Sequence, residues 1–105
     1  MSISERFRRL CQDIDTLAAE DMSVLPDAAQ MASRLDEALV LVRELADRVG
    51  DIPQYKLETE LTPVLLKAHS RLDQYRLKLE HAGQEALAQR VWGSEQDIYR
   101  LLNSL

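Results

Sequence analysis

The chain has 105 residues, of which 46% are hydrophobic and 30% are charged, so it is too apolar for a disordered segment and long enough for one core. Eighteen leucines against three glycines, three prolines and five aromatic residues favour helices over turn-rich sheets. The net charge of −5 disfavours nucleic-acid and membrane-surface binding, because phosphate backbones and anionic bilayers repel an acidic protein. We therefore expect one all-α domain that covers residues 1–105.

The first predicted helix runs from residue 3 to residue 21. Apolar residues recur along it every three or four positions, which is the spacing of one helix face: Ile3, Phe7, Leu10, Ile14 and Leu17. Ser2 and Glu5 stand three residues apart at its start, and this spacing predicts a capping box.

The second predicted helix opens at Pro26, since proline is tolerated in a first helical turn, and continues to Val49. Its apolar stripe has the same period and consists of Ala28, Met31, Leu35, Ala38, Val42, Leu45 and Val49. Val40 lies on the opposite face. Gly50 follows where a left-handed helix cap is wanted, with Pro53 three residues later.

The third apolar stripe is interrupted by a proline. It consists of Leu57, Leu61, Leu65, Ala68, Leu72, Tyr75, Leu79 and Ala82. Because Pro63 either opens a helix or kinks one, we predict a short helical piece at 54–61 followed by the main helix at 63–82.

A fourth stripe follows Gly83 with its phase moved by about one residue: Leu87, Val91, Ile98, Leu102 and Leu105. A phase change beside a glycine predicts a turn there. The alternative is a long bent third helix that runs on to Trp92 and breaks at Gly93–Ser94. The first interpretation gives four helical segments and the alternative gives three.

Segments of similar length with an apolar period near 3.5 are typical of an antiparallel helical bundle with shallow, coiled-coil-like crossing angles. We expect the interior of this bundle to be wholly apolar. The acidic residues are spread over every segment, so the sequence singles out no carboxylate pair for acid–base chemistry.

The sequence lacks the motifs of metal and cofactor sites. His69 and His81 are twelve residues apart with no second ligand at helical spacing, and there is only one cysteine, so we expect no metal, no cofactor and no catalysis. Both histidines are expected at the surface or at the edge of the core. The enzymatic alternative requires Arg8, Arg34 and Lys56 to converge on an anionic substrate.

The segment 63–82 is basic within an acidic chain. Its cations either neutralise neighbouring acidic helices or form a docking stripe for an acidic partner: Lys67, Arg71, Arg76 and Lys78.

Apolar residues outside the main stripes are the candidates for partner binding. Leu66 and Leu77 lie eleven residues apart on one face of the third helix, and we expect them, with Val40, to bind a partner. Trp92 and Tyr99 are seven residues apart; we expect them in the core, with a partner surface as the alternative.

These patterns favour a protein-interaction module, such as a small acidic adaptor or chaperone-like regulator that binds a helix of another protein. A homodimeric structural bundle is the alternative. Residues 1–5 lack the apolar stretch of a secretory signal, no apolar run approaches the roughly 20 residues of a membrane span, and the lone Cys11 cannot form an internal disulfide. The expected location is therefore the cytoplasm.

Overall fold

The computed structural model describes residues 2–21 and 28–105, with side chains for 2–19 and 35–105. Four α-helices account for most of these residues: α1 (Ile3–Asp21), α2 (Ala28–Ala46), α3 (Leu57–His81) and α4 (Glu85–Ser104). Two 3₁₀ turns, Val49–Asp51 and Gln54–Lys56, join α2 to α3, and the described residues contain no strand. The prediction of an all-α fold is confirmed.

The four helices pack in a closed square, 44 × 22 × 21 Å, in which each helix contacts the two beside it. Polar contacts between helix ends show that neighbouring helices are antiparallel. Arg6, at the start of α1, donates to Ser104 at the end of α4 (2.9 Å), and Arg48, just after the end of α2, pairs with Glu60 in the first turn of α3 (3.9 Å). The structure is therefore an antiparallel four-helix bundle.

Most residues of the predicted stripes lie in the core wherever their side chains are described. The exceptions are Ala82, which is exposed, and Ile3 of α1 with Leu87, Leu102 and Leu105 of α4, which are only partly buried. Ala88 and Leu101, one residue away, are buried in α4 instead. The main members of the core are Phe7, Leu10, Ile14 and Leu17 of α1, Leu35, Ala38, Val42 and Leu45 of α2, Leu61, Leu65, Ala68, Leu72, Tyr75 and Leu79 of α3, and Ala88, Val91, Ile98 and Leu101 of α4. Burial of these side chains is the main favourable contribution to folding.

Helix α1 begins at its predicted cap. The Ser2 hydroxyl accepts a hydrogen bond from the Glu5 backbone N–H at 3.1 Å, so one of the free donors of the first turn is satisfied. The helix covers the predicted range of residues 3–21.

The predicted end of the second helix is wrong. Helix α2 ends at Ala46, and Gly50 lies in a 3₁₀ turn without the left-handed backbone expected of a cap. The Arg8 guanidinium occupies the space beside Gly50, 2.9 Å from where a Cβ would be, and Arg8 also donates to the Ala46 carbonyl at 3.4 Å. The glycine thus accommodates an arginine of α1. The predicted start at Pro26 lies outside the described residues.

The predicted division at Pro63 is also wrong, because α3 is continuous from Leu57 to His81 with Pro63 inside it. Leu57, Leu61 and Leu65 are all buried on one face, so packing holds the chain helical on both sides of the proline. Pro63 and Thr59, whose carbonyl loses its usual helical donor, both lie on the exposed side, where water can solvate that carbonyl.

The turn at Gly83 is confirmed, and the alternative of a long bent third helix is wrong. Gly83 has φ +76°, and the Gln84 N–H donates to the Leu79 carbonyl at 2.9 Å, as in a Schellman motif. Helix α4 then runs unbroken through Gly93. The phase change in the apolar stripe is therefore the reversal of the chain between α3 and α4.

Candidate functional site

All five candidate partner-binding residues are exposed. Their accessible fractions lie between 44% and 54%: Val40, Leu66, Leu77, Trp92 and Tyr99. The expectation that Trp92 and Tyr99 are core residues is therefore wrong. Each follows a buried residue, Val91 and Ile98, and the helical rotation of about 100° per residue carries it out of the core to the edge of α4.

Four of the five lie along one side of the bundle. Trp92 and Tyr99 line the edge of α4 beside α3, while Leu66 and Leu77 lie on the outer side of α3. The half-exposed Asp73 and Glu80 stand between these leucines and α4. Contacts across the seam tie the two edges together, because the Tyr99 ring packs against His69 with centroids 4.7 Å apart and the Arg76 guanidinium lies 5.2 Å from the centre of the Trp92 ring. We call the surface formed by Leu66, Leu77, Trp92 and Tyr99 the α3–α4 face.

Val40 does not belong to this face. It lies on the outer side of α2, between Glu37, which pairs with α3, and Arg43, which pairs with Asp15 of α1. A single exposed aliphatic residue among charged neighbours is ordinary on a protein surface. The predicted grouping of Val40 with Leu66 and Leu77 is therefore not found in the structure.

A cluster of ionisable side chains lies in the seam between α3 and α4, contrary to the expectation of a wholly apolar interior. Glu95 of α4 has no accessible surface, and its Oε2 accepts a hydrogen bond from Arg76 Nε at 3.1 Å. Arg76 also binds Asp73 and Glu80, each at 2.7 Å. His69 Nε2 lies 3.5 Å from Glu95 Oε1. We call these five residues the ionic cluster.

The local helix geometry explains why these residues meet. His69, Asp73, Arg76 and Glu80 are separated by four, three and four residues, so they form a polar stripe along the side of α3 that faces α4. On α4, Glu95 stands four residues after Val91 and three before Ile98. It therefore occupies a core position that the apolar period reserves for a leucine or valine, and this gap in the stripe was the available sequence signal.

Burial changes the acidity of the cluster. Burial, with the nearby Asp73 carboxylate as a second cause, raises the pKa of Glu95 to about 8, although Arg76 opposes both effects. The hydrogen bond between Arg76 and Asp73 lowers the pKa of Asp73 and raises the pKa of Arg76. At neutral pH the cluster therefore holds one extra proton, on Glu95, beside an ionised Asp73.

The cluster has the chemistry of a proton-holding site within a helix seam. His69 Nε2 and Glu95 Oε1 are both buried without a hydrogen-bond partner and lie against each other. A groove of about 560 Å³ opens beside the cluster, over Trp92, Arg76 and Glu80. Arg76 and Trp92 are among the residues that line this groove. Glu95 does not line it, because it has no accessible surface.

The basic segment is divided between two roles. Arg71 and Arg76 neutralise acidic neighbours inside the bundle, as the first interpretation of this segment expects. Lys67 and Lys78 form no ion pair within the described side chains. They directly follow Leu66 and Leu77 and so lie beside the exposed leucines.

The cations of the enzymatic alternative occupy other places. Arg8 lies against Gly50 and Ala46, Lys56 lies over the Tyr55 ring, and the side chain of Arg34 is outside the described ones. A groove of about 390 Å³ between α1 and α4 is lined by a different set that includes Arg6, Asp13 and Arg100.

In the part of the chain that the structure describes, no three histidine, cysteine or acidic side chains are placed to hold a metal ion. None of its helices combines the length and the apolar content needed to cross a bilayer. Cys11 is half-buried against the core, and burial raises the pKa of its thiol.

Comparisons of the chain with protein-family models, with curated proteins and with solved structures found no match.

Proposed function

We propose that this chain is a protein-binding module, without catalytic activity, that docks a helix of another protein on the α3–α4 face. The observation that carries the proposal is the gathering of Leu66, Leu77, Trp92 and Tyr99 on one side, four of the six large exposed apolar side chains among the described residues. Exposed apolar side chains gathered on one side of a protein are typical of interaction sites, and tryptophan and tyrosine are preferred anchors there.

The dimensions of the face suit a helix. Leu66 and Leu77 are separated by three helical turns, about 16 Å along α3, and Trp92 and Tyr99 by two turns, about 10 Å along α4. The half-exposed Asp73 and Glu80 lie between the two rows. An amphipathic helix of three or four turns would lay its apolar residues along these rows at spacings of three, four and seven.

The charges beside the face specify the flank of that helix. Lys67 and Lys78 accompany the exposed leucines, and their charges are not neutralised by a described side chain, in contrast to those of Arg71 and Arg76. A partner helix with glutamate or aspartate beside its apolar stripe would pair with both lysines, and this complementarity would fix its orientation. The half-buried free Cys11 supports a reducing compartment, and we propose the cytoplasm.

The test compares capture by the wild-type chain with capture by Leu66→Glu and Leu77→Glu variants, followed by calorimetry with the purified partner. A buried carboxylate opposite an apolar helix should weaken binding at least tenfold, because it must be desolvated without a partner. The matched control is Val40→Glu, an equally exposed aliphatic position outside the face.

The proposal predicts that Val40→Glu binds as the wild type does and that Lys67→Glu with Lys78→Glu weakens binding to an acidic helix. Equal affinity for wild type, Leu66→Glu and Leu77→Glu would overturn it. Sedimentation of the chain alone tests the homodimeric alternative. If the wild type dimerises and Leu77→Glu makes it monomeric, the face binds a second copy of the chain and the proposed partner is wrong.

A further inference from the structure

We infer that the ionic cluster makes the α3–α4 face proton-controlled: a proton on Glu95 holds Trp92 and Tyr99 in their present arrangement, and its release rearranges them. This inference concerns regulation of the face and rests on the proposed function for its biological role. Its structural part, the coupling between the buried carboxyl pair and the two aromatic side chains, stands on the geometry of the seam.

Glu95 occupies a closed position in the seam between α3 and α4. Its carboxyl group has no accessible surface and lies in the seam with Asp73, so the two acids share one arginine. A second negative charge on Glu95 would be out of reach of water, would share Arg76 with Asp73 and would lie 3.5 Å from His69 Nε2 without a hydrogen bond. The neighbouring groups would have to move to stabilise it. The protonated pair needs no such movement. The arrangement in the structure is therefore that of the protonated cluster.

Two members of the ionic cluster contact the aromatic residues of the α3–α4 face. Arg76 divides its donors among Asp73, Glu80 and Glu95 while its guanidinium lies over the Trp92 ring. His69 lies against both Glu95 and the Tyr99 ring. Each aromatic residue of the face thus touches a cluster member that binds or faces Glu95. When Glu95 ionises, it attracts Arg76 and His69 more strongly, and their displacement moves the two rings.

Among the side chains that the structure describes, the charged groups that face Glu95 all come from α3. They are His69, Asp73 and Arg76, with Glu80 acting through Arg76. Helix α1 packs on the other side of α4, where its Asp13 and Arg9 line a groove with Asp97 and Arg100. Helix α2 does not contact α4. Removing the titratable group at position 95 therefore removes the control without disturbing a second ionic network.

Trp92 is the only tryptophan of the chain, so its fluorescence reports on the face directly. The experiment titrates the emission of the full chain, and its quenching by acrylamide, from pH 6 to pH 9.5. For the wild type we expect a single-proton transition with its midpoint near pH 8, where Glu95 ionises. Glu95→Gln, which keeps the shape and a neutral group, should abolish the transition and retain the low-pH spectrum.

Two variants keep the test decisive. Asp97→Asn removes a half-exposed carboxylate from the opposite side of α4 and should leave the transition unchanged. Asp73→Asn removes the neighbouring negative charge and should lower the midpoint, an effect that a merely structural role would not produce; it also replaces Glu95→Gln if that variant does not fold.

A flat wild-type titration, or a transition that survives in Glu95→Gln, would overturn the inference. Because no partner is present, these outcomes are independent of the docking experiment. Failure of Leu66→Glu to weaken binding, together with a normal Trp92 titration, would reject the proposed function and keep the proton-controlled seam.

Discussion

Helix α4 has two seams that treat charge in opposite ways. Against α3, Arg76 is mostly buried, with 18% of its side chain accessible, and Glu95 is fully buried. Against α1, the pair Asp97–Arg100 is well formed at 2.9 Å, yet its side chains are 44% and 69% accessible. Water solvates the second pair whether or not it forms, whereas the first cannot be solvated without opening the bundle. The same residue types therefore differ in their contribution to stability according to burial.

Removing one arginine from each seam is the most direct way to break this comparison. Arg76→Ala leaves the buried carboxyl group of Glu95 without its donor and Asp73 without its ion pair, and we expect a loss of about 2 kcal/mol in the free energy of unfolding. Arg100→Ala should change it by about 0.5 kcal/mol or less, because the exposed Asp97 is rehydrated. Urea unfolding followed by circular dichroism at pH 7 measures both values. Similar losses for the two variants would show that burial does not distinguish the seams.

Stability as a function of pH sharpens the comparison further. The pKa of Glu95 is raised from 4.5 to about 8 in the folded chain, so the folded state holds a proton that the unfolded state releases. Its stabilising contribution is fully present below about pH 4.5 and is lost as the pH rises to about 8, with a slope of at most about 1.4 kcal/mol per pH unit.

Unfolding at pH 5.5, 6.5, 7.5 and 8.5 checks this prediction. Glu95→Gln should remove that downward slope and be more stable than the wild type at pH 8.5, while Asp97→Asn on the other seam should follow the wild-type curve. Parallel curves for Glu95→Gln and wild type would mean that Glu95 exchanges no proton on folding.

Effects of opposite sign, each of about 1 kcal/mol, are expected from one substitution made at two glycines. Gly83→Ala, in the turn between α3 and α4, places a side chain at φ +76° and should destabilise the fold by about 1 kcal/mol. Gly93 lies inside α4 beside the α1 seam, with nothing within 4 Å of an added Cβ, so Gly93→Ala should stabilise by up to about 1 kcal/mol. Thermal unfolding resolves the two signs, and a shift in the same direction would contradict this assignment.

The apolar periodicity was sufficient to predict the helices and the closing of the bundle, because burial of each stripe dominates the fold. Local signals failed where tertiary contacts outweigh them. Pro63 does not divide α3, since the leucines on both sides of it are buried in phase, and Gly50 accommodates Arg8 where the sequence indicated a cap. Neither contact can be seen from the residues adjacent in sequence.

The candidate site was predicted only in part. Leu66 and Leu77 lie outside their helix stripe, which marks them directly in the sequence. Trp92 and Tyr99 were harder to place, because large aromatic side chains are typical of cores and interfaces alike. The ionic cluster could not be predicted from the sequence without knowing that the polar stripe of α3, which contains His69 and Arg76, faces α4. The one signal in the sequence was Glu95, a charged residue at a core position of α4, which indicates that a polar group of another helix lies against it.

The short connection between α3 and α4 has a consequence for the order of folding. Only three residues, 82–84, separate the two helices, so their contacts are local and closing them costs little chain entropy. This hairpin should be structured early, before α1 completes the bundle. Glu95 would then leave water at an early stage, and the rate at which the chain folds would depend on the acidity of the medium.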